Sequence, residues 1–383
     1  VVILKNGAEN KYLVMHIQED GTLSVTNKQT QETYHQLNTF VEKGDDGDEY
    51  NYSPCIDDTE IRINDIHPMI TCIESSSIEV KYRLEYQIQV PEKVVDHHRV
   101  QALKPLKICS DVSLKANSQT IDFVTKINNH SCDHIVRVCF EDIYKAAENC
   151  SQDQFGTIIR QNVIKNQKSL KEYVLPIYAM QRFVKLDHQK SIMAVLSKGP
   201  LEYEIENNQK ICLTLLRSVG KFGKADLLIR PGRSSGYRMD APSSQLLNQT
   251  ITSEYSLFFG TKEQMSKMIQ TAEVINTPVQ TRYLNDISRR ENLKLDWSYS
   301  AITLDERVEF MALKKAENSE ASIFRILNNR EVDVADVELF IPINKRCYLC
   351  DVQENKQTEV ENQNGKVIIK NLVSNTFVTV IIE

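Results

Sequence analysis

The sequence predicts a mainly β protein made of antiparallel sandwiches with one linking helix. Apolar residues recur with a period of two, clusters of polar turn residues separate the runs, and no helical repeats stand between them. Ile121, Phe123 and Ile127 alternate with Asp122 and Lys126, and Val136, Val138 and Phe140 repeat the pattern with Arg137 on the opposite face. Further along, Val308, Phe310 and Ala312 alternate against Glu309, and Val337, Leu339, Ile341 and Ile343 against Glu338. Turn chemistry falls at Glu19-Asp20-Gly21, Lys115 to Ser118, Asn128-Asn129 and Asn362 to Gly365. The helix follows the strand-like Tyr255 to Phe259: Thr261 caps it, Gln264 completes a capping box, Met265, Met268 and Ile269 recur at helical spacing, and Pro278 marks the stop. The organisation expected is a large β region, residues 1–275, and a smaller sandwich, residues 276–383, with the change of character in the charged stretch Asn285 to Lys294.

Composition narrows the class. In 383 residues, 41% hydrophobic and 26% charged, there is enough apolar material for a large core, which excludes a disordered or fibrous chain. No apolar run approaches the ~20 residues of a bilayer span. A net charge of −6 excludes the basic footprint of a nucleic-acid binder and a polybasic membrane anchor. The nine scattered cysteines read as reduced, mostly buried thiols, and a cytoplasmic protein is expected. The opening Val1-Val2-Ile3-Leu4 reads as the middle of something, so a fragment or processed product is expected.

Motifs for nucleotide or serine chemistry are missing: there is no Gly-x-Gly-x-x-Gly, no Walker-type string and no Gly-x-Ser-x-Gly. His130-Ser131-Cys132-Asp133-His134 offers four metal-ligating side chains, but so close along an extended chain they cannot converge on one tetrahedral ion, and a hairpin tip is the better reading. Cys347 and Cys350 read as core thiols, and His97-His98 as a solvated loop. The acidic run Gly44 to Tyr50 lacks the spacing of a calcium loop. It reads as a solvated loop, with a sugar-contacting edge as the alternative, in which carboxylates accept from hydroxyls beside Tyr50 and Tyr52. Arg217, Arg230, Arg233 and Arg238 are either surface salt-bridge partners or an anion or hydroxyl clamp, and spacing alone does not decide.

Five segments carry a resemblance. Gly44 to Pro54, Lys198 to Ile205, Leu215 to Gly220, Arg230-Pro231-Gly232 with Ala241 to Gln245, and Ala312 to Glu317 with Arg325 to Asn329 resemble, in order, the C-terminal half of family 38 glycoside hydrolases. These are the α-mannosidases, and the likeness is to the bacterial branch that includes mannosylglycerate hydrolases. The resemblance implies a galactose-mutarotase-like super-sandwich followed by a smaller sandwich. It also implies a retaining enzyme whose zinc and aspartate nucleophile lie in an N-terminal barrel, so no catalytic residue and no metal ligand is expected in this chain. By position, Asp48 and Tyr50 resemble the substrate-contacting loop of the family, and Arg230 to Arg233 should hold the counterpart of a pocket arginine. Asp48, Tyr50, Arg230 and Arg233 are therefore the expected substrate-binding residues. The implied partners are an α-mannoside, the protein's own catalytic domain and a second copy in a homo-oligomer. The alternative is a non-catalytic carbohydrate-binding or oligomerisation module.

Overall fold

The computed structural model describes residues 1–163, 172–281 and 300–383; the stretch Asn285 to Lys294 lies outside them. The chain is mainly β and divides into two compact units, Val1–Ser151 with Ile159–Met268, and Gln152–Ile158 with Ile269–Glu383. Among the described residues, no helix is long and apolar enough to cross a membrane.

The first unit holds three large sheets and two two-stranded ones, 94–95 with 98–99 and 226–227 with 230–231. A five-stranded meander occupies residues 2–37. A nine-stranded sheet runs in the order 156–161, 148–153, 183–186, 191–198, 249–261, 120–129, 103–115, 79–91 and 69–75. A six-stranded sheet runs 177–179, 202–206, 210–218, 134–141, 39–44 and 61–62. One apolar core draws on all three, with Met15 and Val25 from the meander, Leu84, Val112 and Phe123 from the large sheet, and Val136 and Leu213 from the small one. At its centre Phe123 stacks on Tyr255 at 5.0 Å, and Phe140 of the six-stranded sheet meets Tyr255 edge-on at 6.0 Å. The Tyr255 hydroxyl shares a 2.7 Å hydrogen bond with Thr125 Oγ1, so the one polar atom of that ring is satisfied inside the core.

The second unit packs a four-stranded sheet (303–304, 334–340, 366–372, 362–363) with a five-stranded one (309–315, 322–328, 376–382, 347–350, 356–360). Ile326, Val337, Leu339, Val367 and Val380 form its core. The hairpin 362–372 turns through Asn364 and Gly365 at φ 55° and 91°, the Asn-Gly pair that two positive-φ positions favour.

Several local expectations hold. Thr261 N–H donates to Gln264 Oε1 at 3.0 Å, the reciprocal half of a capping box, and the helix Met265–Asn276 follows with Met268 and Ile269 buried. Cys347 and Cys350 are both buried and free. Others fail for identifiable reasons. Asn128-Asn129 is not a turn: both residues pair within the strand Thr120–Asn129, and residues 130–133 carry the chain from one sheet to the other, so this is no hairpin tip. A register shift between Phe310 and Ala312 breaks that strand's alternation, so Glu309 is buried, accepting from Asn329 Nδ2 at 3.0 Å, while Phe310 is exposed. The strand His134–Glu141 is buried on both faces, Arg137 included. The expectation of nine reduced thiols fails at one place: Cys139 and Cys212, directly opposite in register, are joined as a disulfide, and seven cysteines are free.

Candidate functional site

Register places the chemistry at one end of the six-stranded sheet. His134 pairs with Gly44 on one side and Ser218 on the other. The chain therefore leaves one strand at Gly44, enters the next at His134 and leaves the third at Ser218, all at the same edge. Connections beginning at 45 and 219 rise together from that edge, beside the corner 130–133, and Asp45 N–H donates to the Asp133 carbonyl at 2.8 Å.

The acidic run is not solvated. Asp45, Asp46 and Asp48 are all buried, each with a cation from the basic segment. Arg217 Nε donates to Asp45 Oδ2 at 2.6 Å, while its Nη2 donates to the carbonyls of Asp48 and Asn51 at 2.7 and 2.6 Å. Asp45 Oδ1 accepts from Gly47 and Ser53 N–H groups at 2.9 and 3.2 Å. Burial pushes the Asp45 carboxyl above its usual range, against the pull of Arg217 and of those N–H groups. Asp46 meets Lys224 Nζ and His97 Nδ1, so His97 belongs to this network rather than to a solvated loop. Asp48 Oδ2 accepts from Arg230 Nη2 at 2.6 Å and Lys224 N–H at 3.0 Å, and its Oδ1 accepts from the N–H groups of Tyr50 and Asn51 at 3.0 and 2.9 Å. Gly47 is required by close approach, because a Cβ there would run into the Asn51 carbonyl and the Arg217 guanidinium. Buried carboxylates persist only when paired and fully hydrogen-bonded, and this loop meets that demand three times.

The four expected binding residues take two different parts. Asp48 and Arg230 side chains are both 0% exposed and bound to each other, and Arg230 also donates to Asn51 Oδ1 and Ser235 Oγ. They hold the loop. Tyr50, 51% exposed, stands at its tip with its ring edge-on to Phe222 at 5.3 Å, and Arg233, 55% exposed, pairs with Glu172. Glu172 also lies 3.6 Å from Arg230, which ties Arg233 to the same cluster. Lys224, His97, Asn51 and Glu172 were not foreseen. No local signal marked Lys224, because four candidate arginines already outnumbered the three buried acids and its partner Asp46 lies 178 positions away.

The metal candidates do not converge. His134 is buried with both ring nitrogens engaged, Nδ1 with Glu42 Oε1 at 3.1 Å and Nε2 with Asn129 Oδ1 at 2.9 Å. His130 Nδ1 instead meets Asn248 Oδ1 at 2.8 Å. Among the described residues no group of three His, Cys, Asp or Glu side chains is arranged to hold a metal ion, so the residues do not fit the zinc that the resemblance implies for a whole enzyme.

Residues 8–221 match the model of the glycosyl hydrolases family 38 C-terminal domain. The chain belongs to glycosyl hydrolase family 38. A protein of Halalkalibacterium halodurans, provisionally named mannosylglycerate hydrolase, is 25% identical over 244 residues, covering 59% of this chain and 27% of its own length. The crystal structure of an alpha-mannosidase from Enterococcus faecalis V583 superposes at a TM-score of 0.83 with 22% identity over 99% of this chain and 42% of that one. A family 38 protein from Enterococcus faecalis gives 0.82 with 22% identity, over 99% and 44%. This family 38 chain therefore spans less than half the length of the relatives it matches.

Proposed function

We propose that this chain is the C-terminal β region of a retaining α-mannosidase, acting on α-mannosides such as mannosylglycerate, and that its Tyr50 loop completes a sugar site whose carboxylates and zinc belong to a part of the protein outside this chain. Family membership and the likeness of its whole length to the mannosidase structure support the reading. The observation that carries it is the asymmetry of the loop. Three buried ion pairs fix the backbone, while the tyrosine at the tip is left half-exposed. A hydroxyl held on a rigid loop can donate to a substrate oxygen without losing conformational freedom on binding. In this reading Asp48 and Arg230 are positioning residues, and Tyr50 and Arg233 are the groups that meet the sugar. Retaining hydrolysis needs two carboxyl groups about 5–5.5 Å apart. The aspartates of this loop are each bound to a cation, so the pair is assigned elsewhere. A bound zinc would supply Lewis-acid polarisation of substrate oxygens.

The test is Tyr50→Phe in the longer protein, assayed on an aryl α-mannoside. Loss of one substrate hydrogen bond, about 1–3 kcal/mol, lowers kcat/KM by about 5- to 150-fold with the melting temperature unchanged. An unaltered kcat/KM would remove Tyr50 from the site.

A further inference from the structure

Beside the Tyr50 loop the first unit opens a cleft of about 830 Å³, within the roughly 300–1,000 Å³ of small-molecule sites. Its walls carry Tyr50, Tyr173, Tyr178 and Leu201, and Glu172 and Glu202 add carboxylates. The walls are braced. Tyr173 N–H donates to the Ile229 carbonyl at 2.9 Å, and Glu172 is held by Arg233. The Arg160 guanidinium lies over the Tyr178 ring at 5.3 Å, and the Tyr178 hydroxyl donates to the Gln161 carbonyl at 3.2 Å. Glu202 Oε1 accepts from Thr214 Oγ1 at 2.8 Å on the outer face of the six-stranded sheet. On the same face Arg137 is buried within 5.9 Å of the Tyr52 ring, which also lines the cleft, and its Nη2 has no hydrogen-bond partner among the described residues.

The charge pattern selects the ligand. Among the described residues Arg217 is neutralised by Asp45, Arg233 by Glu172 and Arg137 by Glu204, so these three arginines already carry a carboxylate partner. Flat phenol rings beside acceptor carboxylates suit a ring with one C–H face and many hydroxyls: the C–H face packs on the aromatic surface, and the hydroxyls donate to the acids. We propose that this cleft is a saccharide subsite in its own right, holding a neutral pyranose against Tyr173 and Tyr178 with Glu172 and Glu202 accepting from its hydroxyls. It goes beyond the role given to Tyr50, because Tyr173, Tyr178 and Glu202 have no part in that role and Glu172 enters it only as the partner of Arg233.

Calorimetric titration of the 383-residue chain with methyl α-mannopyranoside and an α-linked mannobiose tests it. Saturable binding is expected, weakened about three- to tenfold by Tyr173→Ala, a change at an exposed side chain that leaves the fold intact. Glu202→Gln, which keeps shape and removes the charge, weakens it as well, whereas Tyr348→Ala in the second unit does not. Absence of saturable binding to either sugar overturns the proposal, as does a Tyr173→Ala chain that binds like the parent. Tighter binding of mannose 6-phosphate than of the neutral sugars overturns the assigned ligand class. Because this readout is binding and that for Tyr50 is turnover, either reading can fail while the other stands.

Discussion

The ion pairs of the Tyr50 loop and those at the surface of the second unit occupy opposite environments. In the first, Asp48 and Arg230 are wholly enclosed, Asp45 with Arg217 nearly so, and each pair is embedded in backbone hydrogen bonds. In the second, Lys315–Glu320 is 62% and 91% exposed, and Arg346–Glu359 and Lys356–Glu383 also face solvent. Both units have apolar cores, so neither needs buried charge to fold. Enclosed pairs cost desolvation that apolar side chains of similar volume would avoid. Where a chain accepts that cost in three neighbouring places, the geometry so held is the feature to explain, and here it is a loop that presents a tyrosine.

The sharpest way to break the contrast is Arg230→Met. Removing one partner leaves Asp48 buried and uncompensated, and about 3–5 kcal/mol is lost from the first unit, read from its urea unfolding midpoint. A loss below about 1 kcal/mol would mean the pair is open to water in solution.

Acid separates the two environments by sign. Burial raises the Asp45 carboxyl, so its contribution to stability is present at low pH and is lost as pH rises through the raised native value. The hydrogen bonds from Arg307 hold Asp305, in the second unit, below its usual range. Its contribution is present above the unfolded value and is lost as pH falls through the native one. Between pH about 7 and about 2 the parent should therefore gain stability relative to Asp45→Asn, above the unfolded value near 4, and lose it relative to Asp305→Asn, below that value. Urea midpoints of the three chains at both pH values check this, and equal slopes would show that the two carboxyls share one environment.

The smallest effect belongs to Arg346→Ala. Its exposed pair with Glu359 is screened, and the change should stay within about 0.5 kcal/mol by thermal unfolding of the second unit.

Local features were legible where local rules decide them. The alternation at Ile121 to Ile127, the capped helix at Thr261 and the Asn364-Gly365 hairpin depend on neighbours in sequence. Phe310 and Glu309 exchanged faces because a register shift, invisible to periodicity, inserts an extra residue. Arg137 was read as outward-facing, but nothing along its strand indicates that a second layer covers that face. The loop aspartates were misread as solvated for the same reason: Asp45 finds Arg217 172 positions away and Asp48 finds Arg230 at 182. The arginines were visible as candidates, but only the fold shows which acid each one meets. Cys139 and Cys212 became a pair because the sheet register puts them opposite, 73 residues apart.

That long separation has a consequence during synthesis. Asp48 leaves the ribosome 182 residues before Arg230, and at roughly 5–20 residues per second the wait is about 10–40 s. Throughout it the three acids remain hydrated and the tyrosine unplaced, while the strands of the meander are already made. The Tyr50 loop is thus among the last parts of the nascent first unit to set, and its order reports that the unit has been completed.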